Sequence, residues 1–478
     1  MTLLSINKWL GTALLATLLP HIMEAQTILS LDSCKAKAIR NNKQLSASKI
    51  KQEAARNLRK SARTKYLPRV QALGAYVYSS REISILNDEQ KEHLSHLGDG
   101  AMQIIGSQNP ALAGTVGAIL NAEGQGIVDA FHTDTRHMFA GTVMLMQPLF
   151  MGGSIMAANK MADISERMAE NSSEASKQDI LYQTEQAYWN VVSLRHKQRL
   201  AESYLELVRK LDNDVQKMIQ EGVATRAEGL NVAVKVNEAE MTLTQVNNGL
   251  ALSRMLLCQL CGLPLEEEFT LSDETDKAIG CEGTTAQTAG LTIDNETRPE
   301  LRLLQNTVDM SRQSTRLLKA GNLPKVALIG GYSVTNPHVF NGFQREFAGM
   351  WNVGVMVSIP LLNWGDVQYK VRASKNATSI AQLELEDARE KVDLQISQNK
   401  FKVNEAEKRL ALANTSCKQA EENLRCANLG FKEGVMQSTT VMEAQTAWLK
   451  AQSQKIDAEI DIKLSETGLK KALGTLGE

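Results

Sequence analysis

The sequence predicts a mainly α chain with a minor β component, built twice from one strand–strand–long helix–helix unit. Three observations predict it. A short motif recurs, as Pro148-Leu149-Phe150-Met151-Gly152-Gly153 and as Pro360-Leu361-Leu362-Asn363-Trp364-Gly365. The interval from Pro148 to the central glycine of Glu221-Gly222-Val223 equals the interval from Pro360 to that of Glu433-Gly434-Val435. Two segments, 154–221 and 366–433, contain no proline and no glycine except Gly430. A duplication of this size sets the architecture before any single residue is interpreted.

The elements follow in order. Residues 32–65 read as a helix, with Asp32 near its start and Pro68 beyond its end. The two glycine-poor segments read as helices of about 100 Å each, at about 1.5 Å per residue. Helices this long point to a coiled coil or a helical tube rather than a globular core. Their seam is legible: Val403, Ala406, Leu410, Ala413, Cys417, Ala420, Leu424, Ala427 and Phe431 alternate spacings of three and four. After the turn at Gly434 the pattern resumes with Ala444, Ala451 and Ala458, and with Val441, Trp448 and Ile462 between or beside them. Matching seams joined by a tight turn predict an antiparallel helical hairpin. The first copy carries the same frame more loosely, in Val191, Leu194, Ala201, Leu205, Val208, Val215 and Ile219.

Four segments read as strands: 70–80, 139–149, 326–335 and 352–361. Each is about ten residues, the length a tilted strand needs to cross a bilayer. In the last, Trp351, Val353, Val355, Val357 and Ile359 share one face, and Asn352, Gly354, Met356 and Ser358 the other. Four strands cannot close a barrel, and a bilayer tolerates no open edge. Several copies must therefore contribute to one barrel, and three copies would supply twelve strands.

The interval Pro68–Pro148 is more than twice Pro324–Pro360, so the first copy carries an insertion near 81–137. It is rich in glycine, from Gly98 to Gly126, and reads as a long, mobile exterior loop. The turn-rich, acidic run from Glu266 through Asp276 reads as part of a belt or linker. An export signal is expected over 1–25, from Lys8, the apolar run Trp9–Leu19, Pro20 and Ala25. The expected organisation is a first repeat over 26–262 with its hairpin at 154–260, a linker over 263–297, and a second repeat over 298–478 with its hairpin at 366–473.

Net charge is −1, which points away from nucleic acid as a partner. No mature segment has about 18 uninterrupted apolar residues, so no transmembrane helix is expected. Six cysteines are present: Cys34, Cys258, Cys261, Cys281, Cys417 and Cys426. Cys258-Gln259-Leu260-Cys261 has the spacing of a redox or metal motif. It lies in an apolar helix end without a second such pair or clustered histidine, and the reading preferred is core packing. His93 and His96 fall in the insertion, where a solvated or locally packed role is the reading preferred over metal binding. No phosphate loop or nucleophile elbow appears, so an enzyme is not expected, and no cofactor is implied.

With the duplicated unit, the two Pro-Leu-x-x-x-Gly junctions, the two Gly-Val tips, Leu260-Cys-Gly-Leu-Pro264 and Leu473-Gly-Thr-Leu476, the chain resembles the outer membrane efflux protein family of TolC-like channels. The resemblance covers nearly the whole mature chain. It implies a homotrimer with a twelve-stranded barrel in outer membrane lipid, continued by a periplasmic α-helical barrel. It implies an exit duct of a tripartite efflux or type I secretion system. A periplasmic adaptor protein and an inner-membrane pump of the RND, ABC or MFS type would dock at the narrow end. In that family the hairpin tips carry adaptor contacts, which places Gly222, Val223 and Thr225, and Gly434, Val435 and Ser438, in that role. Acidic residues just inside the tips ring the constriction. Glu443 and Thr440 stand at the matching places of the second tip, Glu228 and Asn231 at those of the first. Thr440 stands where many relatives have Asp, so Glu443 is the principal gate candidate and Glu228 the second. Two rival readings fit less well: a periplasmic adaptor usually carries one hairpin inserted in β-rich domains, whereas this chain has two, each after paired strands, and a coiled-coil structural protein leaves the strand pairs and the export signal unexplained.

Overall fold

The computed structural model describes residues 27–82, 84–106, 109–132, 134–274, 298–338 and 344–476. The export signal expected over 1–25, most of the 263–297 linker and Cys281 lie outside the described residues. The chain divides into two compact units. One comprises Met1–Arg56, Ser165–Val308 and Ser379–Glu478, the other Asn57–Ile164 and Asp309–Thr378.

In chain order, β1 (Thr27–Leu29), α1 (Leu31–Asn41) and α2 (Lys43–Arg63) lead into β2 (Arg69–Tyr78). Helices α3 (Asp88–Ser95), α4 (Leu97–Gly106) and α5 (Pro110–Ala130) separate β2 from β3 (His137–Met151). The first hairpin is α6 (Ser154–Gln220) with α7 (Arg226–Cys261). After it come β4 (Phe269–Leu271), α8 (Pro299–Lys319), β5 (Lys325–Asn336) and β6 (Ala348–Ser358). The second hairpin is α9 (Asp366–Lys432) with α10 (Ser438–Leu473). Helices α6 and α9 are both 67 residues long, and α7 and α10 both 36. The duplication read from motif spacing thus extends to element length.

The strand-bearing unit is built on one antiparallel sheet in the order β2-β3-β5-β6. Side chains alternate between its faces. The pairs Tyr76–Phe139, Val143–Tyr332 and Tyr332–Trp351 place Val70, Val143, Leu145, Leu328, Val353 and Val355 on one face, with those aromatics. Apolar side chains stand exposed there, Trp351 at 74% and Val353 at 69%. The opposite face mixes apolar and polar residues, including Gln71, Thr142, Ser333 and Asn352. Thr142 donates across the strands to Ser333 at 3.1 Å. The last strand differs from expectation: it begins at Ala348 and ends at Ser358. Pro360 has no N–H for a ladder, which ends the strand early and leaves Ile359 outside it.

The insertion is a second correction. Residues 81–137 are not one irregular loop but contain α3, α4 and α5. Asn87 and Gln90 form a capping box on α3, and Asn109 caps α5, with Pro110 in its first turn. Three of the glycines, Gly98, Gly117 and Gly124, are contact points between helices. A Cβ on Gly98 would strike the Gly117 carbonyl, and one on Gly124 would strike that of Leu94. Asn121 of α5 bridges to α4, accepting from the Gly98 N–H at 2.5 Å and donating to Asp99 at 2.9 Å. Glycine here serves close helix approach rather than loop freedom.

In the other unit, the helix expected over 32–65 is broken at Asn42, which has extended backbone angles. The Asn42 carboxamide accepts from the Gln44 and Leu45 N–H groups at 2.9 and 3.2 Å, starting α2 afresh, and donates to Leu260 O at 3.1 Å. Strand β1 pairs parallel with β4 over Thr27–Phe269 to Leu29–Leu271. Beneath this clasp lies a core of Leu29, Cys34, Tyr188, Val191, Val192, Leu257, Cys258, Cys261, Phe269 and Leu271. Tyr188 donates to Asp273 within it, and burial with that carboxylate pushes the phenol up.

The alanine seam packs as its period requires. Ala406, Ala413 and Ala427 of α9 and Ala444, Ala451 and Ala458 of α10 are buried. Ion pairs flank the seams: Arg409–Asp461 at 2.7 Å joins α9 to α10, Arg209–Glu240 at 2.6 Å joins α6 to α7, and Lys197–Asp457 at 2.6 Å joins α6 to α10. Among the described residues, no helix is long and apolar enough to cross a membrane.

Candidate gate and docking site at the hairpin tips

Both tips are built by the same backbone device. In the first, the Gly222 N–H donates to Ile219 O at 3.1 Å and the Val223 N–H to Met218 O at 2.8 Å. In the second, the Gly434 N–H donates to Phe431 O at 3.1 Å and the Val435 N–H to Gly430 O at 2.9 Å. These are two Schellman turns, each closing the last open carbonyls of a 67-residue helix. Gly222 and Gly434 hold φ of +74° and +75°, which a residue with a Cβ adopts only with strain. The next residue is thrown outward: Val223 is 72% and Val435 78% exposed.

The re-entry differs between the copies. Thr225 caps α7, and Glu228 completes a capping box. The Glu228 carboxylate accepts from the Thr225 N–H at 2.8 Å. The counterpart of Thr225 is Gln437, whose side chain makes no capping bond. Ser438 is the first helical residue of α10 and only 4% exposed, so it does not form part of an exposed tip. Its hydroxyl has no hydrogen-bond partner among the described residues. The sequence motif Gly-Val-x-x aligns Thr225 with Gln437, and that register was the signal available for finding Gln437.

The gate candidates sort by exposure. Thr440, Glu443 and Asn231 stand exposed on the first turns of α10 and α7. Glu228 is half-buried and engaged by Thr225. Glu443 and Asn231 occupy equivalent places after their glycines, as do Thr440 and Glu228. The two tips are held side by side by one core, in which Leu211 and Val215 of α6 and Val232 of α7 meet Leu424 and Ala427 of α9 and Val441 and Met442 of α10. Above that core, hydrogen bonding from Arg425 holds Glu422 down at about 2. Met436 fills the space beside Gly430, where a Cβ would lie 2.8 Å from its Cγ.

Among the described residues, no group of three or more histidine, cysteine or acidic side chains is placed to hold a metal ion. Cys258 and Cys261 lie in the core under the β1–β4 clasp. The arrangement is a pair of rigid hairpins with exposed apolar tips and a few exposed polar residues one turn behind them.

Comparison with known proteins agrees with this architecture. The model of the family described as "Outer membrane efflux protein" matches residues 36–263 and 295–475. Outer membrane protein TolC of Vibrio cholerae serotype O1 is 23% identical over 408 residues, covering 82% of this chain and 89% of that protein. A crystal structure of CusC matches with a TM-score of 0.72 and 15% identity, covering 93% of this chain and 91% of that one. The Campylobacter jejuni CmeC outer membrane channel matches with a TM-score of 0.71 and 14% identity, covering 93% and 85%. With the family model spanning both copies of the duplicated unit, the chain belongs to the outer membrane efflux protein family: it is an efflux duct of the outer membrane and not an enzyme.

Proposed function

We propose that three copies of this chain close one twelve-stranded barrel and continue it as a periplasmic helical tunnel. One observation carries this reading: the sheet β2-β3-β5-β6 has two unpaired edges and one apolar, exposed face. A bilayer tolerates neither an open edge nor a four-stranded barrel, so the edges must be paired by further copies. The apolar face with Trp351, Val353 and Val355 then meets lipid, and the mixed face with Gln71, Thr142 and Asn352 lines the channel.

The duct serves a tripartite efflux or type I secretion system. An export signal over 1–25 sends the chain to the envelope. A periplasmic adaptor engages Val223 and Val435, whose exposure at tight turns supports a docking role. An inner-membrane pump, of RND, ABC or MFS type, delivers cargo behind it. Three-fold symmetry would gather Glu443 into a ring of like charge, with Thr440, Asn231 and Glu228 beside it, a common way to favour cations in a constriction.

The test is the mass of the purified protein in detergent together with its conductance in a planar bilayer. Trimers with small, cation-selective, mostly closed conductance are expected. A folded monomer without conductance would overturn the reading. For docking, Val223→Asp with Val435→Asp should abolish export while trimers still form.

A further inference from the structure

We propose that Cys34 and Cys261 are joined by a disulfide in the exported protein, stapling the first helix to the end of the first hairpin. Cys34 lies on α1 and Cys261 is the last residue of α7, and both are fully buried. The Cys261 Sγ sits 3.6 Å from the Cys34 carbonyl oxygen. The proximity of the two thiols lowers that of Cys34 and raises that of Cys261. Both are thiols in the structure.

The surroundings favour a covalent tie here. Strands β1 and β4 are three residues each and pair directly over this core. So short a ladder offers few hydrogen bonds to hold β1 and α1 against the end of α7. A bond between Cys34 and Cys261 would fasten the same two regions, closing a long loop and restricting the unfolded chain. An outer membrane protein also passes through the oxidising periplasm, where disulfides persist. Cys258 lies one helical turn before Cys261 in the same core; the sulfur placed against the Cys34 carbonyl is that of Cys261, so Cys258 remains a thiol.

The chemistry is thiol–disulfide exchange with a protein disulfide of the envelope as oxidant. One cysteine thiolate attacks the donor, breaking its S–S bond and forming a mixed disulfide. The second thiolate attacks that sulfur, forming the Cys34–Cys261 bond. The donor leaves as a dithiol, carrying two electrons and two protons. Both side chains are buried in the folded core, so exchange precedes its closure.

The test uses the full-length protein, extracted from membranes without reductant, alkylated in denaturant with iodoacetamide, digested and mapped by mass spectrometry. The expected result is one linked peptide pair, two hydrogens lighter than its separate reduced peptides. Fragment ions should place the bond at Cys261 and the alkyl group at Cys258. Alkylated Cys34, or Cys34 bonded to any other cysteine, would overturn the assignment. Reductant should lower the unfolding midpoint of the parent by several degrees and leave that of Cys34→Ser unmoved. A parent midpoint indifferent to reductant would overturn the stapling role.

Discussion

Thr225 and Glu228 hold each other: the Glu228 carboxylate accepts from the Thr225 N–H at 2.8 Å, and the Thr225 hydroxyl accepts from the Glu228 N–H at 3.3 Å. At the other tip Gln437 makes no such bond. Removing the Thr225 hydroxyl should therefore cost about 1 kcal/mol locally. Hydrogen exchange at the Glu228 amide should accelerate about five-fold in Thr225→Ala. Gln437→Ala should leave the matching amide of Thr440 unchanged.

The same contact separates the two acidic gate candidates. Glu443 is exposed and makes no hydrogen bond or ion pair among the described residues, whereas Glu228 is tied into its cap. Glu443→Gln should lower cation over anion preference on the order of two-fold, since a trimer would lose three like charges from one constriction. Glu228→Gln should change it less. Reversal potentials in a salt gradient decide this, and an unchanged value for Glu443→Gln removes it from the gate.

Trp364 occupies the backbone place that Gly152 occupies in the first copy. Its φ is +52°, against +63° for Gly152, and the following glycines stand at +81° and +82°. The indole is 86% exposed, so no burial within the chain offsets the strain. Trp364→Gly should raise the unfolding midpoint in detergent, with a gain of about 0.5–1 kcal/mol. A lower midpoint would show that the ring is held by another copy or by lipid.

Ser438 is buried with a hydroxyl that has no partner among the described residues. Ser438→Ala should leave stability unchanged or raise it by up to about 1 kcal/mol. Efflux in a cell-based resistance assay should be unaffected. Loss of efflux with an intact fold would return Ser438 to the docking surface.

Burial holds the Glu459 carboxyl above its ordinary 4.5, against the pull of Lys455 at 4.0 Å. The folded chain thus binds this proton more tightly than the unfolded chain. Its contribution to stability falls as pH rises from the ordinary value through the folded one, and is level above. Glu459→Gln should remove that slope, so the variant should exceed the parent at neutral pH and match it below the ordinary value. Unfolding midpoints across this pH range test the sign.

Much of the fold was legible because it is periodic along the chain. The seven-residue alanine spacing found the buried seam of Ala406, Ala413 and Ala427, and the matched motif intervals found two hairpins with equal helix lengths. The tip glycines were legible too, because a tight turn between long helices needs positive φ. The burial of Ser438 at the start of α10 was not legible, because a lone serine after a turn carries no signal of which face it will take. Gln437 holds the capping place without making the cap bond.

What the sequence determined by itself was local and repetitive: helix against strand, seam against surface, and the duplication. Those follow from the 3.6- and two-residue periods, which each segment carries in its own residues. The tertiary structure decided what depends on pairs far apart in the chain. Gly98 against Gly117 and Gly124 against Leu94 turned an apparent loop into packed helices. Asn42 broke a helix by reaching Leu260, and Cys34 met Cys261 under a clasp of two short strands. Close packing selects those partners by shape and by hydrogen-bond satisfaction in a shared interior, and no period along one segment encodes which distant residue will fill the space.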